Sequence, residues 1–517
     1  MDMRPCLLLL ALSLVPSMSQ AATPGTCHQG LVFDDHDGDG VRDAGEPGLA
    51  GIPMSNGRDI VRTDARGLYR LPERLGQPVF VVKPADFSVH RRADGSADYW
   101  RSGQPGGQCA PLGLKREAKA DEGDLRVLVF GDPQPKSMVD VGYFGRDIVE
   151  PLVGHHDATL GVMLGDITHD DPALYPALKA SAARLAVPWL YVPGNHDADL
   201  SGAHDDASAL HSFRAAFGAD TFAWQEPQAS FVVLDDVVSS YDKGEHRYIG
   251  GFREDQFAFL ETLLPMLPKD RLLVVSMHIP LFETPDRDTF RDADRERLFG
   301  LLAGFPHVLV LSAHMHTQRH VFHGADSGWH GATPLHEYNV GATCGAFWSG
   351  VKDARGIPDT TMADGTPNGH AWLTVQPDGR YALDYRPAAP AADAIGLHAP
   401  KVLRRGAYPA WGLYANVWMG MDDTRVEYRV DGGAWKPMRR VIQPDPALLA
   451  ENARDDIADA LRGYDRSPEA VPSTHLWRGA LPTDLAVGDH VVEVRAFDRW
   501  KGETTAKTTY SLQDAAP

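Results

Sequence analysis

At 517 residues the chain is too long for a single hydrophobic core and has room for about three domains. Its 43% hydrophobic and 23% charged residues are ordinary for a soluble globular protein. The formal net charge of -20 argues against nonspecific binding to nucleic acid or anionic lipid, so a phosphate site would need local positive charge, most simply from metal ions.

Residues 1–21 are expected to be an export signal. Arg4 precedes the apolar run Cys6–Leu12, and Ser19-Gln20-Ala21 offers small residues at the cleavage positions. That run is too short to span a bilayer, and no later stretch has transmembrane character. The mature chain is therefore expected in the periplasm or outside the cell. Cys6 leaves with the signal. Cys27 and Cys109 bracket the next unit and could pair in an oxidising compartment or remain buried thiols, and Cys344 is left over.

Residues 24–112 are β-rich. The short runs Leu31–Phe33, Gly51–Met54, Gly67–Leu71 and Pro78–Val82 are punctuated by Gly, Asp and Pro, as in a small β-sandwich. Within this unit Asp35, Asp37, Asp39, Asp43 and Glu46, with Gly40 between them, have the spacing of a twelve-residue calcium loop. The helical flanks of an EF-hand pair are missing. The loop resembles those of bacterial surface B-type sandwich repeats and is expected to hold a structural calcium; a solvated acidic turn is the plainer alternative.

Residues 113–123 are charged and are expected to be a linker. From 124 to 385 strand-like runs (Leu125–Phe130, Leu160–Leu164, Trp189–Val192, Phe231–Leu234, Leu272–Ser276, Val308–Leu311) alternate with helical patterns such as Pro172–Leu185 and Glu254–Leu267. Such alternation indicates an α/β domain. Tyr385–Pro390 opens a Pro/Ala-rich boundary. Residues 400–517 form a third, accessory unit with the alternating runs Thr424–Val430 and His490–Ala496 and an inserted helix over Pro446–Leu461.

The chemistry lies where strand-like runs end. Five of them finish in potential metal ligands: Gly131-Asp132-Pro133-Gln134, Gly165-Asp166, Gly194-Asn195-His196-Asp197, Met277-His278 and Ala313-His314-Met315-His316. In open α/β sheets, ligands bind beyond the carboxyl ends of the strands, so distant segments can converge on one site. Mixed oxygen and nitrogen donors suit divalent cations that must also bind phosphate and water. Taken singly, Gly-Asp is usually a turn, Asn195 a helix cap and His278 a core histidine; the ordered set of five points to function.

These motifs resemble those of the calcineurin-like metallophosphoesterase superfamily, whose pattern is D-x-[H/Q], GD-x-x-x-[N/D], GN-H-[D/E], a lone His and [G/A]-H-x-H. The arrangement of three units resembles a bacterial subgroup with a sandwich before and a smaller domain after the core. The resemblance covers roughly residues 124–385. It implies a four-layer core of two packed mixed sheets flanked by helices. Two divalent ions (Mn, Zn, Fe or Mg) are implied, one held by Asp132, Gln134, Asp166 and His316, the other by Asp166, Asn195, His278 and His314. It also implies that His196 is catalytic without binding metal and that Asp197 orients it. Gln134 stands where His is commoner, and its amide oxygen favours harder ions such as Mn or Mg. A hydroxide bridging the ions would attack phosphorus, with His196 protonating the leaving oxygen.

Loops 341–350 and 364–369 follow the His-x-His segment, so Trp348 and Asn368 are expected in the substrate pocket. The expected activity is hydrolysis of phosphate mono- or diesters, the substrate a small molecule or a glycan or lipid phosphoester. A pyrophosphatase of nucleotide- or lipid-linked sugars and a non-catalytic calcium-binding surface protein are the alternatives.

Overall fold

The computed structural model describes residues 27–103, 107–117, 123–242, 245–282, 290–388 and 394–515. The expected export segment lies outside the described residues.

The first unit contains two four-stranded sheets. One is ordered Leu68–Arg70, Gln29–Asp34, Leu112–Arg116, Phe87–Val89; the other Ile60–Arg62, Pro53–Ser55, Val79–Val81, Trp100–Arg101. Cys27 and Cys109 form a disulfide with Cα atoms 5.0 Å apart. The strand Leu112–Arg116 corrects part of the expected linker. Its Gly113 pairs with Phe33 and its Leu114 is fully buried, so an apolar residue and a close backbone approach outweigh the flanking charge. A Cβ at Gly113 would lie 2.8 Å from Asp35 Oδ2.

Two further sheets build the core. The five-stranded one runs Trp189–Val192, Leu160–Leu164, Leu125–Phe130, Gly369–Val375, Tyr381–Pro387. Its first three strands are parallel and the last two antiparallel. The six-stranded one runs Phe222–Gln225, Ala229–Val233, Leu272–Ser276, Val308–Ser312, Leu335–Asn339, Arg319–His323. Four central parallel strands are flanked there by antiparallel edges. Leu160–Leu164, Trp189–Val192 and Leu272–Ser276 are buried at every position, which explains their uninterrupted apolar runs.

The helices are shorter than the sequence periods suggest. Pro172–Leu174 is a 3-10 turn capped by Asp171, and the α-helix covers Tyr175–Ala183. The next helix is Glu254–Leu263; Pro265, which has no N–H to donate, tightens its end into a 3-10 turn. Among the described residues no helix is long and apolar enough to cross a membrane.

The first unit is fused to the core by one continuous hydrophobic cluster. The Phe80 ring lies 6.4 Å from Phe222 and 6.1 Å from Phe259, and buried Lys83 pairs with Glu226 at 2.8 Å. The last unit has its own cluster, centred on Leu413, Trp477, Val492, Val494 and Leu512, between a four-stranded and a five-stranded sheet. Its helix spans Pro446–Asp456, capped by the Asp445 carboxylate. It stops short of Leu461 because Asp455 turns back to bind Arg462 and Ser467.

Candidate metal centre and cleft

The turns that leave the core strands are unusual in their backbone. Asp132 and Gln134 have φ of 41°, Asp166 and His316 47°, and His314 67°. Non-glycine residues in this left-handed region each cost on the order of 1–3 kcal/mol, and such strain persists where the surroundings impose it. Here hydrogen bonds between turns impose it. Gln134 N–H donates to the Asp166 carbonyl at 3.0 Å, His314 N–H to the Asp132 carboxylate at 3.1 Å, and His196 N–H to Asp166 Oδ1 at 2.9 Å. Two glycines are indispensable. A Cβ at Gly165 would lie 2.5 Å from His278 Nδ1, and one at Gly194 would lie 2.2 Å from the Asp166 nitrogen.

These turns bring the seven expected ligands together. His278 Nε2 lies 3.3 Å from Asp166 Oδ1, 3.1 Å from Asn195 Oδ1 and 3.2 Å from His314 Nδ1. On the other side of Asp166, Gln134 Nε2 is 3.2 Å from Oδ2, and His316 Nε2 is 3.7 Å from Asp132 Oδ1. The Gln134 amide faces Asp166 through its NH2; a half-turn of the amide presents Oε1 instead. His278 is fixed by Nδ1 against the Leu164 carbonyl at 2.8 Å, and His316 by Nδ1 against the Gly345 carbonyl at 2.7 Å, leaving each Nε2 for the centre.

The electrostatics call for cations. Burial pushes the Asp132 carboxyl up to about 8. Burial also opposes charge on Asp166, but His278 beside it holds that carboxyl far below the carboxylate range. Burial works against a charged His278 as well, yet Asp166 raises it to about 10. A proton on His278 thus occupies a nest of oxygen and nitrogen donors that a metal ion would satisfy better. The residues present fit two divalent cations.

His196 sits beside this nest, and the structure corrects its expected partner. The ring's Nδ1 meets Asp170 Oδ1 at 2.7 Å. Asp197 turns away into the backbone, accepting the Gly194 N–H at 2.9 Å, the Ile167 N–H at 3.1 Å and the Tyr175 hydroxyl at 3.1 Å. The 3-10 turn Asn195–Asp197 aims these neighbouring side chains in different directions. Burial pushes Asp197 up to about 7. His169 stacks on His196 with ring centres 4.3 Å apart. Asp236, absent from the sequence-based set, accepts the N–H groups of His278 and Ile279 at 3.0 and 2.8 Å and so braces the His278 turn.

The centre opens into a cavity of about 340 Å³ lined by Gln134, Asp166, Asn195, His196, Tyr248, His314, His316, Phe347 and Pro468, among others. A second cavity of about 470 Å³ shares Asn195, His196 and Tyr248 with it. Tyr248 comes from the hairpin Val237–Asp242/Glu245–Gly250, which had no sequence signal tying it to the site. Trp348 and Asn368 are corrected as pocket residues. Trp348 is 1% exposed and its indole N–H donates to the Pro133 carbonyl at 2.8 Å, while Asn368 donates to Asp147 at 3.1 Å behind the loop. The wall is made by Phe347, at φ 55° and 39% exposed. Cys344 is a buried free thiol 3.8 Å from Gln134 Oε1.

In the first unit Asp35, Asp37 and Asp39 bring carboxylate oxygens within 4.8 Å of one another. Asp35 also accepts the N–H groups of Gly38 and Gly40, at 2.8 and 2.9 Å. Glu46 accepts those of His36 and Asp43, at 2.8 and 2.9 Å; Asp43 thus meets Glu46 through its backbone.

Paired mixed sheets with donors at the strand ends are the fold of a metallophosphoesterase. Three family models match in order: the N terminal of calcineurin-like phosphoesterase over residues 36–110, calcineurin-like phosphoesterase over 125–318, and its C terminal over 337–504. The chain belongs to the calcineurin-like phosphoesterase family. It is 30% identical over 186 residues to a probable cyclic nucleotide phosphodiesterase of Rhodopseudomonas palustris, a match covering 34% of this chain and 60% of that relative. Among solved structures it is similar to a purple acid phosphatase from yellow lupin (Lupinus luteus) seeds, at 13% identity and a TM-score of 0.39, over 66% of this chain and 68% of that one.

Proposed function

We propose that this chain is an exported, two-metal phosphoesterase acting on phosphate mono- or diesters. The observation that carries this is the convergence of Asp132, Gln134, Asp166, Asn195, His278, His314 and His316 from five turns, three of them strained, next to the His196–Asp170 pair. Asp132, Gln134, Asp166 and His316 would hold one cation, Asp166, Asn195, His278 and His314 the other. Two such ions supply Lewis acidity for water and for phosphoryl oxygens.

The chain's own residues do the rest. Asp170 holds the His196 ring at Nδ1 and favours its charged form, so that Nε2–H can be donated to the leaving oxygen. The Asp166 carboxylate keeps His196 near the centre through its backbone N–H. Tyr248 and Phe347 wall the cleft. The similarity to a probable cyclic nucleotide phosphodiesterase of Rhodopseudomonas palustris supports diesters among the substrates. The Cys27–Cys109 disulfide supports an oxidising compartment and hence export. The carboxylates of Asp35, Asp37 and Asp39 support a structural calcium in the first unit.

The test is hydrolysis by the purified protein, loaded with Mn, Zn or Mg, of p-nitrophenyl phosphate, bis(p-nitrophenyl) phosphate and alkyl phosphodiesters. Asp166→Ala should lose both metal and turnover; His196→Ala should keep metal and lose turnover. Full activity of metal-free Asp166→Ala protein would overturn the proposal.

A further inference from the structure

Neither cavity at the centre is lined by a lysine or arginine among its described residues. A lysine, Lys136, stands beside Phe347 of the cavity wall. Its ammonium lies 4.9 Å from the centre of the Phe347 ring and 5.2 Å from that of Tyr464. It forms no ion pair with a described carboxylate. On a chain of net charge -20, an uncompensated cation held between two aromatic faces at the mouth of a phosphate site is an exception that needs a partner. Cation–π contact fixes the ammonium without neutralising it.

Both rings are placed there by specific structure. Phe347 and Trp348 each have φ of 55°, and the buried Trp348 anchors the turn so that Phe347 faces the cavity. The Phe347 ring is 4.7 Å from that of His316, so one side chain links the metal centre to the cation. Tyr464 belongs to the last unit and is 70% exposed. Its segment is pinned to the core loop: Asp465 N–H donates to Ser349 Oγ at 2.8 Å, and Ser349 Oγ–H donates to the Asp465 carbonyl at 2.9 Å. A Cβ at Gly463 would lie 2.6 Å from the Gly350 carbonyl oxygen, and Pro468 of the same segment lines the cavity.

We propose that Lys136, Phe347 and Tyr464 form a subsite for a second anionic group on the substrate, so that the preferred substrates are diphosphate diesters or other esters bearing a negative charge beyond the scissile phosphorus. This rests on the phosphoesterase assignment above and narrows it. Lys136 meets the distal anion, the two rings position the ammonium, and the last unit takes part in substrate choice through Tyr464.

The test compares kcat/KM of metal-loaded enzyme on UDP-glucose, which carries two anionic phosphoryl groups, with that on bis(p-nitrophenyl) phosphate, which carries one. Lys136→Met should lower the ratio of the two about tenfold, the scale of a lost hydrogen bond to a charged group. Lys136→Arg should restore most of it, and Tyr464→Ala should lower it severalfold. Raised salt should narrow the wild-type ratio. Equal losses on both substrates would overturn the proposal, since Lys136 would then serve the scissile phosphate or the fold. Wild-type protein that cleaves bis(p-nitrophenyl) phosphate but not UDP-glucose would also overturn it while leaving the phosphoesterase assignment intact. Cleavage of p-nitrophenyl phosphate but of neither of these would overturn it as well, and cleavage of none of the three by metal-loaded protein would bring down that assignment and this inference together.

Discussion

Asp170→Asn separates the two carboxylates that stand near His196. It removes a charge yet keeps the size and a hydrogen-bonding group beside Nδ1. The native contact is 2.7 Å, and a charge-assisted bond of this kind contributes about 1.5–3 kcal/mol. The His196 and Asp170 side chains are 27% and 35% exposed, so screening leaves about 1–2 kcal/mol. Lost in the transition state, that lowers kcat/KM about fivefold to thirtyfold. The loss must depend on the leaving group. Phenol needs a proton as it departs and shows the full effect; p-nitrophenol, a far weaker base, shows little. The assay is kcat/KM for phenyl and p-nitrophenyl phosphate, with metal content measured on the same samples. Equal losses on both esters, or loss of metal, would refute the role given to Asp170. So would a stronger leaving-group dependence in Asp197→Asn, because the Asp197 carboxylate is bonded to backbone N–H groups and to Tyr175 rather than to the ring.

Three more outcomes follow from the structure. Burial disfavours charge on His278, but Asp166 holds it protonated up to about 10, so loading the metal-free protein at pH 8 must displace that proton. Calorimetry in buffers of different ionisation enthalpy should return at least one proton released per molecule, from His278 and in part from Asp132, and none released would contradict it. Burial pushes His336 and His370 from 6.5 down to about 3. The unfolded chain therefore binds protons that the folded one refuses, and stability should fall as pH drops from about 6.5 towards 3. Both ring nitrogens of His370 are buried without a hydrogen-bond partner among the described residues, so His370→Leu should raise the melting temperature at pH 5 and flatten its pH dependence; a lower value would refute this. Finally, calcium added back to chelator-treated protein should raise the melting temperature of the wild type and not that of Asp35→Ala, whereas a wild-type transition indifferent to calcium counts against the site.

Much of the centre was legible because its geometry is local. An apolar strand, a turn and a donor recur five times, and each donor sits within four residues of the strand that aims it. What the sequence concealed is what the tertiary fold decides. Asp197 is next to His196 in the chain, yet a 3-10 turn sends it into the backbone, and the ring is met by Asp170 from a different turn. Trp348 has the stronger aromatic signal, but consecutive left-handed residues bury it and expose Phe347. Tyr248 and Pro468 reach the cleft from a hairpin and from the last unit, and neither lies in a motif. Strands were found more faithfully than helix ends, since Pro265 and Asp455 act through hydrogen bonds that periodicity does not register.

The docking of residues 463–468 on the loop around Ser349 and Gly350 sets an order of events during synthesis. All seven expected ligands precede residue 317, so a growing chain carries the complete donor set well before Tyr464 and Pro468 exist. Residues 463–468 therefore complete one side of the cleft from the far end of the chain. If Tyr464 acts as proposed, discrimination between substrates is encoded in the last-translated segment, far from the donors themselves.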